Sequence, residues 1–233
     1  PKESVDAVLE DAAEMGLKVV RTWGNLDAGV KTDKVSDKGY TVFTDNVDGS
    51  GEKEGVYYQY FDADLGRPVV NEGEDGLQKL DYALYKAEQE GIKLLITFTN
   101  NWEAFGGMGQ YVQWAKLAGE NVSGHDDFYT NETIKGWYKD YIKTLLNHEN
   151  VYTGVKYKDD PTIFSWELAN EPRCESDAGC ENNTVVKWAT EMSAYVKSID
   201  NNHMLAVGDE GFYNYGYNDF PEGDHKYVYH GSS

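Results

Sequence analysis

Helical and extended segments alternate along this chain, and this alternation constrains its fold more than any other feature. Four amphipathic stretches with apolar residues at helical spacing each precede a short run rich in β-branched residues. The helices are predicted at 5–13, 77–87, 134–146 and 185–199, and the strands at 17–22, 93–99, 163–168 and 203–208. Strands that are separated by helices usually pair in parallel, because the helix carries the chain back across the sheet. The sequence therefore predicts an α/β fold around a parallel sheet.

The connections between these segments differ in length according to the end of the sheet at which they lie. Most helix-to-strand turns are short, whereas the strand-to-helix connections 23–75 and 100–130 far exceed the usual loop of about five residues. Both long connections leave the carboxyl ends of predicted strands. Parallel α/β folds carry binding and catalytic groups on loops at that end, so we expect the functional site there.

The third predicted strand runs directly into the tripeptide Asn170-Glu171-Pro172. Pro172 has no N–H to continue a strand ladder and disfavours a helical backbone at Glu171, so we expect the strand to stop here. The Glu171 carboxyl group would then lie at the rim of the sheet, where barrel enzymes carry their chemistry. Glu171 is therefore the first candidate for a catalytic acid or base.

Length and composition indicate one domain, or part of one, over residues 1–233. The 233 residues are 40% hydrophobic, which is enough to bury a sizeable core. A formal net charge of −20 repels phosphate backbones and anionic lipid, so we predict no nucleic-acid partner. No apolar run approaches the length of a membrane span, and the histidines show no metal-ligand spacing. We therefore predict no membrane partner, no metal and no cofactor.

Two cysteines and three glycosylation triplets bear on the cellular compartment. Cys174 and Cys180 are close enough for a small disulfide loop in an oxidising compartment, with free thiols as the alternative and a zinc site as the weaker one. Asn121, Asn131 and Asn182 each begin an Asn-x-Ser/Thr triplet. Together these features predict an extracellular, secreted protein.

The two long connections are rich in aromatic residues interleaved with Asn, Gln and Gly. For most of these rings, a small core formed by the loop itself is the better interpretation. Trp23 and Trp102 are different, because each follows within a few residues of a predicted strand end and can overhang the mouth of a barrel. Their flat faces suit the C–H faces of sugar rings.

Four motifs occur in an order that resembles a known family: RTWG (21–24), NNW (100–102), WELANEPRC (166–174) and GDEGF (208–212). The chain resembles the glycoside hydrolases of family 5, and most closely the secreted endo-β-1,4-mannanases of fungi and plants. The resemblance covers nearly the whole chain. It implies a (β/α)8 TIM barrel of which this chain supplies about strands 2 to 5, so that residues 1–233 are a partial catalytic domain.

The resemblance also implies roles for particular residues. Glu171 would be the general acid/base, Asn170 would hydrogen-bond the 2-hydroxyl of the sugar at the cleavage site, and Arg21 would organise the nucleophilic carboxylate. The remaining residues that the resemblance assigns to substrate binding are Trp23 and Trp102 as stacking walls, Arg173 and Glu210 on the leaving-group side, and Asn100. The implied substrate is a β-mannan, hydrolysed at internal β-1,4 bonds with retention of configuration.

The retaining mechanism requires a second carboxylate about 5 Å from the first, and the family carries it on the seventh strand. This segment lies outside the predicted strands, so the chain alone is expected to be inactive and to need the rest of the barrel as a partner. Glu210 is a poor substitute, because a group on the neighbouring strand would approach the sugar from the same side as Glu171. Two alternatives remain, namely a β-1,4-glucanase of the same family and a non-catalytic carbohydrate-binding pseudo-enzyme.

Overall fold

The computed structural model describes residues 2–47, 53–175, 180 and 183–211. In these residues eight strands form two sheets. The strands are β1 (Val19–Trp23), β2 (Asp27–Val35), β3 (Thr41–Thr44), β4 (Gln59–Asp62), β5 (Arg67–Val70), β6 (Lys93–Thr97), β7 (Ile163–Glu167) and β8 (Met204–Ala206). The helices are α1 (Lys2–Glu14), α2 (Gln78–Gln89), α3 (Gly107–Leu117), α4 (Asp127–Thr130), α5 (Glu132–Asn147) and α6 (Thr184–Ile199), with 3₁₀ turns at Lys53–Gly55 and Tyr157–Asp159.

The four predicted strands form one sheet in the order β1-β6-β7-β8, and every pair in it is parallel. Val20 pairs with Leu94, and Trp166 pairs with Leu205. The helices α1, α2, α5 and α6 precede these strands, as the periodicity predicts. The parallel arrangement inferred from the alternation is confirmed, with strand ends displaced by up to two residues.

Helix α5 illustrates why the apolar periodicity marks these helices correctly. The Asn131 side chain accepts a hydrogen bond from the Ile134 backbone N–H at 3.0 Å, which caps the start of the helix. From there one face is buried along the full length of the helix. Its buried apolar side chains are Ile134, Tyr138, Tyr141, Ile142, Leu145 and Leu146.

The amino-terminal end of this sheet is held by buried charged groups. The Trp166 indole N–H donates to the Asp200 carboxylate at 2.7 Å, and His203 Nδ1 lies 2.7 Å from the same Asp200 oxygen. The other ring nitrogen of His203 lies 2.8 Å from the backbone carbonyl of Asp160. Strand β7 is thereby tied to the turns that precede β7 and β8.

The connection 23–75, interpreted from sequence as a long loop, instead folds into a second sheet in the order β3-β2-β4-β5. Strands β2 and β4 are parallel, and the other two pairs are antiparallel. A small core of Ala28, Phe43 and Tyr57 lies beneath it, with the Phe43 and Tyr57 ring centroids 4.7 Å apart. Most of these strands have four residues, too few for an alternating pattern to stand out.

The connection 100–130 also differs from a plain loop, because it contains α3 and α4. Helix α3 is buried on nearly all sides, and its Tyr111 and Trp114 side chains have no exposed surface. The Trp114 indole N–H donates to the Ala28 carbonyl of β2 at 3.0 Å. The interpretation of loop aromatics as a small core formed by the loop itself is confirmed for Tyr57. The other four rings are buried in the main core instead, namely Tyr58, Phe61, Tyr111 and Trp114.

Among the described residues, no helix has the length and apolar character that crossing a membrane would require.

Candidate active site

The carboxyl ends of β1, β6, β7 and β8 bring the predicted site residues to one edge of the parallel sheet. Arg21 lies on β1, Asn100 follows β6, Asn170 and Glu171 follow β7, and Glu210 follows β8. Asn100 and Asn170 form an isolated parallel bridge that extends the pairing of β6 and β7 beyond the strands themselves. The backbone pairing of the parallel sheet therefore also positions the candidate site residues that follow its strands.

Arg21 contacts two acceptors from the β7 side. Its Nη2 donates to the Asn170 Oδ1 at 2.7 Å and forms an ion pair with the Glu167 carboxylate. Glu167 is the last residue of β7, and only 7% of its surface is exposed. A buried carboxylate at this position needs a charged partner, and Arg21 supplies it.

Glu167 is a site residue that sequence reasoning missed. Its acidic side chain ends an otherwise apolar strand, and this pattern could have marked it, but the roles implied by the WELANEPRC motif fall on Asn170, Glu171 and Arg173. Gly208 lies directly against it, because a Cβ at that position would come within 2.7 Å of the Glu167 Cγ and 1.8 Å of the Ala169 carbonyl oxygen. Only glycine leaves room for the Glu167 carboxylate to reach Arg21.

Asn100 is buried, with 1% of its surface exposed, and holds its neighbours in place. Its Oδ1 accepts from the Asn170 Nδ2 at 2.9 Å and from the Trp102 backbone N–H at 3.2 Å. Its Nδ2 donates to the Ala104 carbonyl at 3.0 Å. The structure thus links Asn100 to Asn170 and to the loop that carries Trp102.

Glu171 lies at the rim, half-buried, in a backbone conformation that is rare for a residue with a side chain. Its φ angle is 51°, in the left-handed region, and its N–H donates to the Gly208 carbonyl at 2.9 Å. The Glu171 Oε2 accepts a hydrogen bond from the Trp102 indole nitrogen at 2.6 Å. Such strained conformations persist when surrounding contacts hold them, and they are concentrated at functional sites.

Trp102 and Trp23 contact different residues of this site. Trp102 is 44% exposed, and the Arg173 guanidinium carbon lies 5.1 Å from its ring centroid. Arg173 in turn forms a two-point ion pair with Glu210. Trp23 is half-buried, with its ring centroid 5.4 Å from that of Phe105 and 5.8 Å from the Arg21 guanidinium carbon.

A groove of about 600 Å³ opens beside Trp102 and Arg173, and His125 lies in its wall. The two ring nitrogens of His125 face acceptors, the Asp126 carboxylate at 3.0 Å and the Asn101 carbonyl at 2.8 Å. Burial alone would lower the pKa of His125, but these two hydrogen bonds outweigh it, and the pKa is raised. Both bonds require N–H donors, so the imidazolium form fits this position.

Cys174 and Cys180 form a disulfide, so the predicted pairing is confirmed. Asp126 lies near the two sulfur atoms, but sulfur in a disulfide is not the thiolate that binds a metal. Of the three predicted glycosylation sites, Asn121 is exposed, Asn131 caps helix α5, and Asn182 lies outside the described residues.

Comparison with known proteins gives the relationship of the chain. A family model described as "GH family 5 beta-mannosidase-like" matches residues 49–226. Mannan endo-1,4-beta-mannosidase 7 of Arabidopsis thaliana is 41% identical over 212 residues, which are 91% of this chain and 41% of that protein. Mannan endo-1,4-beta-mannosidase 1 of Oryza sativa subsp. japonica is 42% identical over 90% of this chain and 41% of that protein.

Among solved structures, the endo-1,4-beta-mannanase from Rhizomucor miehei aligns with a TM-score of 0.77 at 40% identity, over 93% of this chain and 55% of that one. The chain therefore spans about half of that structure and two fifths of the plant relatives. Its four parallel strands correspond to an arc of a (β/α)8 barrel. On the family match and these similarities, the chain belongs to glycoside hydrolase family 5, in its β-mannosidase-like group.

Proposed function

We propose that this chain supplies the acid/base half of a retaining endo-β-1,4-mannanase that hydrolyses internal bonds of β-mannan polysaccharides. The observation that carries the proposal is Glu171, a half-buried carboxyl group at the carboxyl-terminal edge of the parallel sheet. It is held by the Trp102 indole and the Gly208 backbone. The named activity of plant and fungal relatives at about 40% identity supports the choice of mannan.

In the proposed reaction, Glu171 first protonates the departing glycosidic oxygen and later, as a carboxylate, removes a proton from the attacking water. Asn170 would hydrogen-bond the 2-hydroxyl of the sugar at the cleavage site. Its amide is oriented for this by Arg21 on one side and by Asn100 on the other. Asn100 would therefore contribute to binding through Asn170.

Arg21 would hold the nucleophilic carboxylate in its charged form. Its side chain is 44% exposed despite the contacts to Glu167 and Asn170, so part of the guanidinium remains open to a further partner. A fixed positive charge nearby favours the ionised form of a carboxylate, which is the form that attacks the sugar. The nucleophile itself would come from the remaining strands of the barrel.

The aromatic and charged groups around Glu171 would form sugar subsites. Trp102, Arg173 and Glu210 would bind sugars on the leaving-group side, and Trp23 would stack on the other side. A neutral polysaccharide suits a protein with a net charge of −20, because no electrostatic repulsion opposes its approach. Residues 1–233 would form part of one catalytic domain, and the disulfide supports an extracellular location.

The proposal is tested with two proteins, the 233-residue chain and a completed barrel. The completed barrel is this chain flanked by the segments that supply strand 1 and strands 6 to 8, taken from the Rhizomucor miehei enzyme or from a full-length form of this protein. We expect mannan hydrolysis by the completed barrel, loss of it in Glu171→Gln, and no turnover by the chain alone.

The choice of substrate is tested by initial rates on mannan and on carboxymethylcellulose. A higher rate on the cellulose derivative would replace the proposal with a β-1,4-glucanase. Binding of mannan by the completed barrel without hydrolysis would indicate a carbohydrate-binding pseudo-enzyme. Turnover by the 233-residue chain alone would contradict the location of the nucleophile outside it.

A further inference from the structure

We propose that Trp102 is a positioning residue for the acid/base. Its indole N–H would hold the Oε2 atom of Glu171 and so leave Oε1 to carry the proton for the leaving group. The inference rests on the proposed function, and it assigns separate tasks to the two carboxyl oxygens. A stacking wall alone would not need this contact.

The argument begins with the chemistry of the indole group. The Trp102 Nε1 lies 2.6 Å from the Glu171 Oε2, which is a short hydrogen bond to a carboxylate. An indole N–H only donates, so Oε2 must accept. The hydroxyl oxygen of a carboxylic acid is a poorer acceptor than its carbonyl oxygen. When Glu171 takes up a proton, the contact therefore favours the proton on Oε1.

Trp102 can hold this oxygen only if the exposed ring is itself held. The Arg173 guanidinium lies over the ring at 5.1 Å, and its ion pair with Glu210 fixes the guanidinium. The Trp102 backbone N–H is bound to Asn100 at 3.2 Å. The indole is thus held on one face by Arg173 and through its own backbone by Asn100, although 44% of the residue is exposed.

Glu171 is held from the other side. Its left-handed backbone, with φ of 51°, and its N–H bond to Gly208 determine where the side chain begins. The indole then determines where one end of the carboxyl group lies. Because the Glu171 backbone and its Oε2 atom are both held, the carboxyl group cannot rotate to exchange Oε1 and Oε2 during the reaction.

The chemical step follows from this placement. The Oε1–H proton moves to the glycosidic oxygen while the bond from that oxygen to the sugar carbon breaks, and its electron pair stays on the departing oxygen. The second carboxylate of the completed barrel forms the new bond to the carbon. Proton transfer matters most for poor leaving groups, because a good leaving group departs without it.

The test compares Trp102→Phe with Trp23→Phe in the completed barrel. Both variants keep an aromatic face and lose an indole N–H, but only the Trp102 indole contacts Glu171 among the described residues. We expect Trp102→Phe to lower kcat/KM about 10- to 100-fold on mannan and phenyl β-mannobioside, from loss of one charged hydrogen bond. On 2,4-dinitrophenyl β-mannobioside we expect less than a threefold change. Trp23→Phe should change all three substrates by the same factor.

An equal loss on phenyl and dinitrophenyl substrates in Trp102→Phe, or no loss on either, would overturn the inference. A measurement without turnover separates it from the proposed function. In the completed barrel with ¹⁵N-labelled tryptophan, the Trp102 indole proton resonance should move upfield in Glu171→Ala, whereas that of Trp23 stays in place. A Trp102 resonance that does not move contradicts the inference even if the protein proves inactive on every substrate.

Discussion

Replacing Asp27 by asparagine removes a carboxyl group that lies fully buried between the second sheet and the loop after β6. Its oxygens accept hydrogen bonds from the Gln59 Nε2 at 2.8 Å, the Gly107 N–H at 3.1 Å and the Asn25 Nδ2 at 3.2 Å. Burial raises the pKa of Asp27 from 3.8 to about 7, against the opposing effect of these three donors.

The direction of the pH effect follows from the two states of Asp27. In the unfolded chain Asp27 loses its proton near pH 3.8, whereas in the folded protein it keeps the proton until about pH 7. Between these values the unfolded state binds fewer protons, so the free energy of unfolding falls as the pH rises. A shift of about 3 pKa units corresponds to about 4 kcal/mol.

The assay is urea unfolding of the completed barrel followed by tryptophan fluorescence, in steps from pH 4 to pH 8. We expect the stability of the wild type relative to Asp27→Asn to fall by up to about 4 kcal/mol over this range. The exposed Asp64→Asn variant is the control for loss of a surface carboxylate. A difference between wild type and Asp27→Asn that stays constant from pH 4 to pH 8 would refute the reasoning.

Three further predictions concern the site and the base of the sheet. Glu167→Gln should lower kcat on mannan about 10- to 100-fold, because Arg21 loses the charged hydrogen bond that holds it beside the nucleophile. An unchanged kcat in steady-state assays would contradict this. Hydrogen bonds from His203 and Trp166 outweigh burial and lower the pKa of Asp200 to about 2. The resulting stability, about 2 kcal/mol, is present above pH 4 and lost as the pH falls towards 2, so urea unfolding of Asp200→Asn should lack this acid-dependent loss. Gly208→Ala places a methyl group 1.8 Å from the Ala169 carbonyl oxygen at a φ of 91°, and calorimetry should show a Tm lowered by several degrees.

The parallel sheet could be predicted because each of its strands follows an amphipathic helix. The apolar stripe of α5 and the short turn after α6 depend only on residues that are near one another in the chain, so the sequence pattern predicts them. The order β1-β6-β7-β8 then follows from the rule that successive βα units lie side by side.

The second sheet could not be predicted by the same means. Its strands β3, β4 and β5 have four residues each, and β2 pairs with β4 in parallel although the described residues between them form only β3 and a 3₁₀ turn at Lys53–Gly55. Helix α3 was missed for a related reason. Seven of its eleven residues are buried, so its polar stripe is too narrow to produce a clear period.

Within the candidate site, the rim residues could be predicted from the motifs, but their partners could not. Glu171 and Trp102 lie 69 positions apart, and no pattern in the sequence pairs an indole with a particular carboxylate oxygen. Glu167 depends on Arg21, which is 146 positions away. Such pairings arise only when the strands are placed side by side.

The contact between the second sheet and the loop after β6 has a consequence for protein engineering. The Asp27 N–H donates to the Phe105 carbonyl at 2.9 Å, and a Cβ at Gly106 would come within 2.6 Å of the Asp27 Cβ. Two segments that are distant in the chain therefore share one packed interface. An exchange of the Trp102 loop between relatives should succeed only when the β2–β5 insert is transplanted with it as a single cassette.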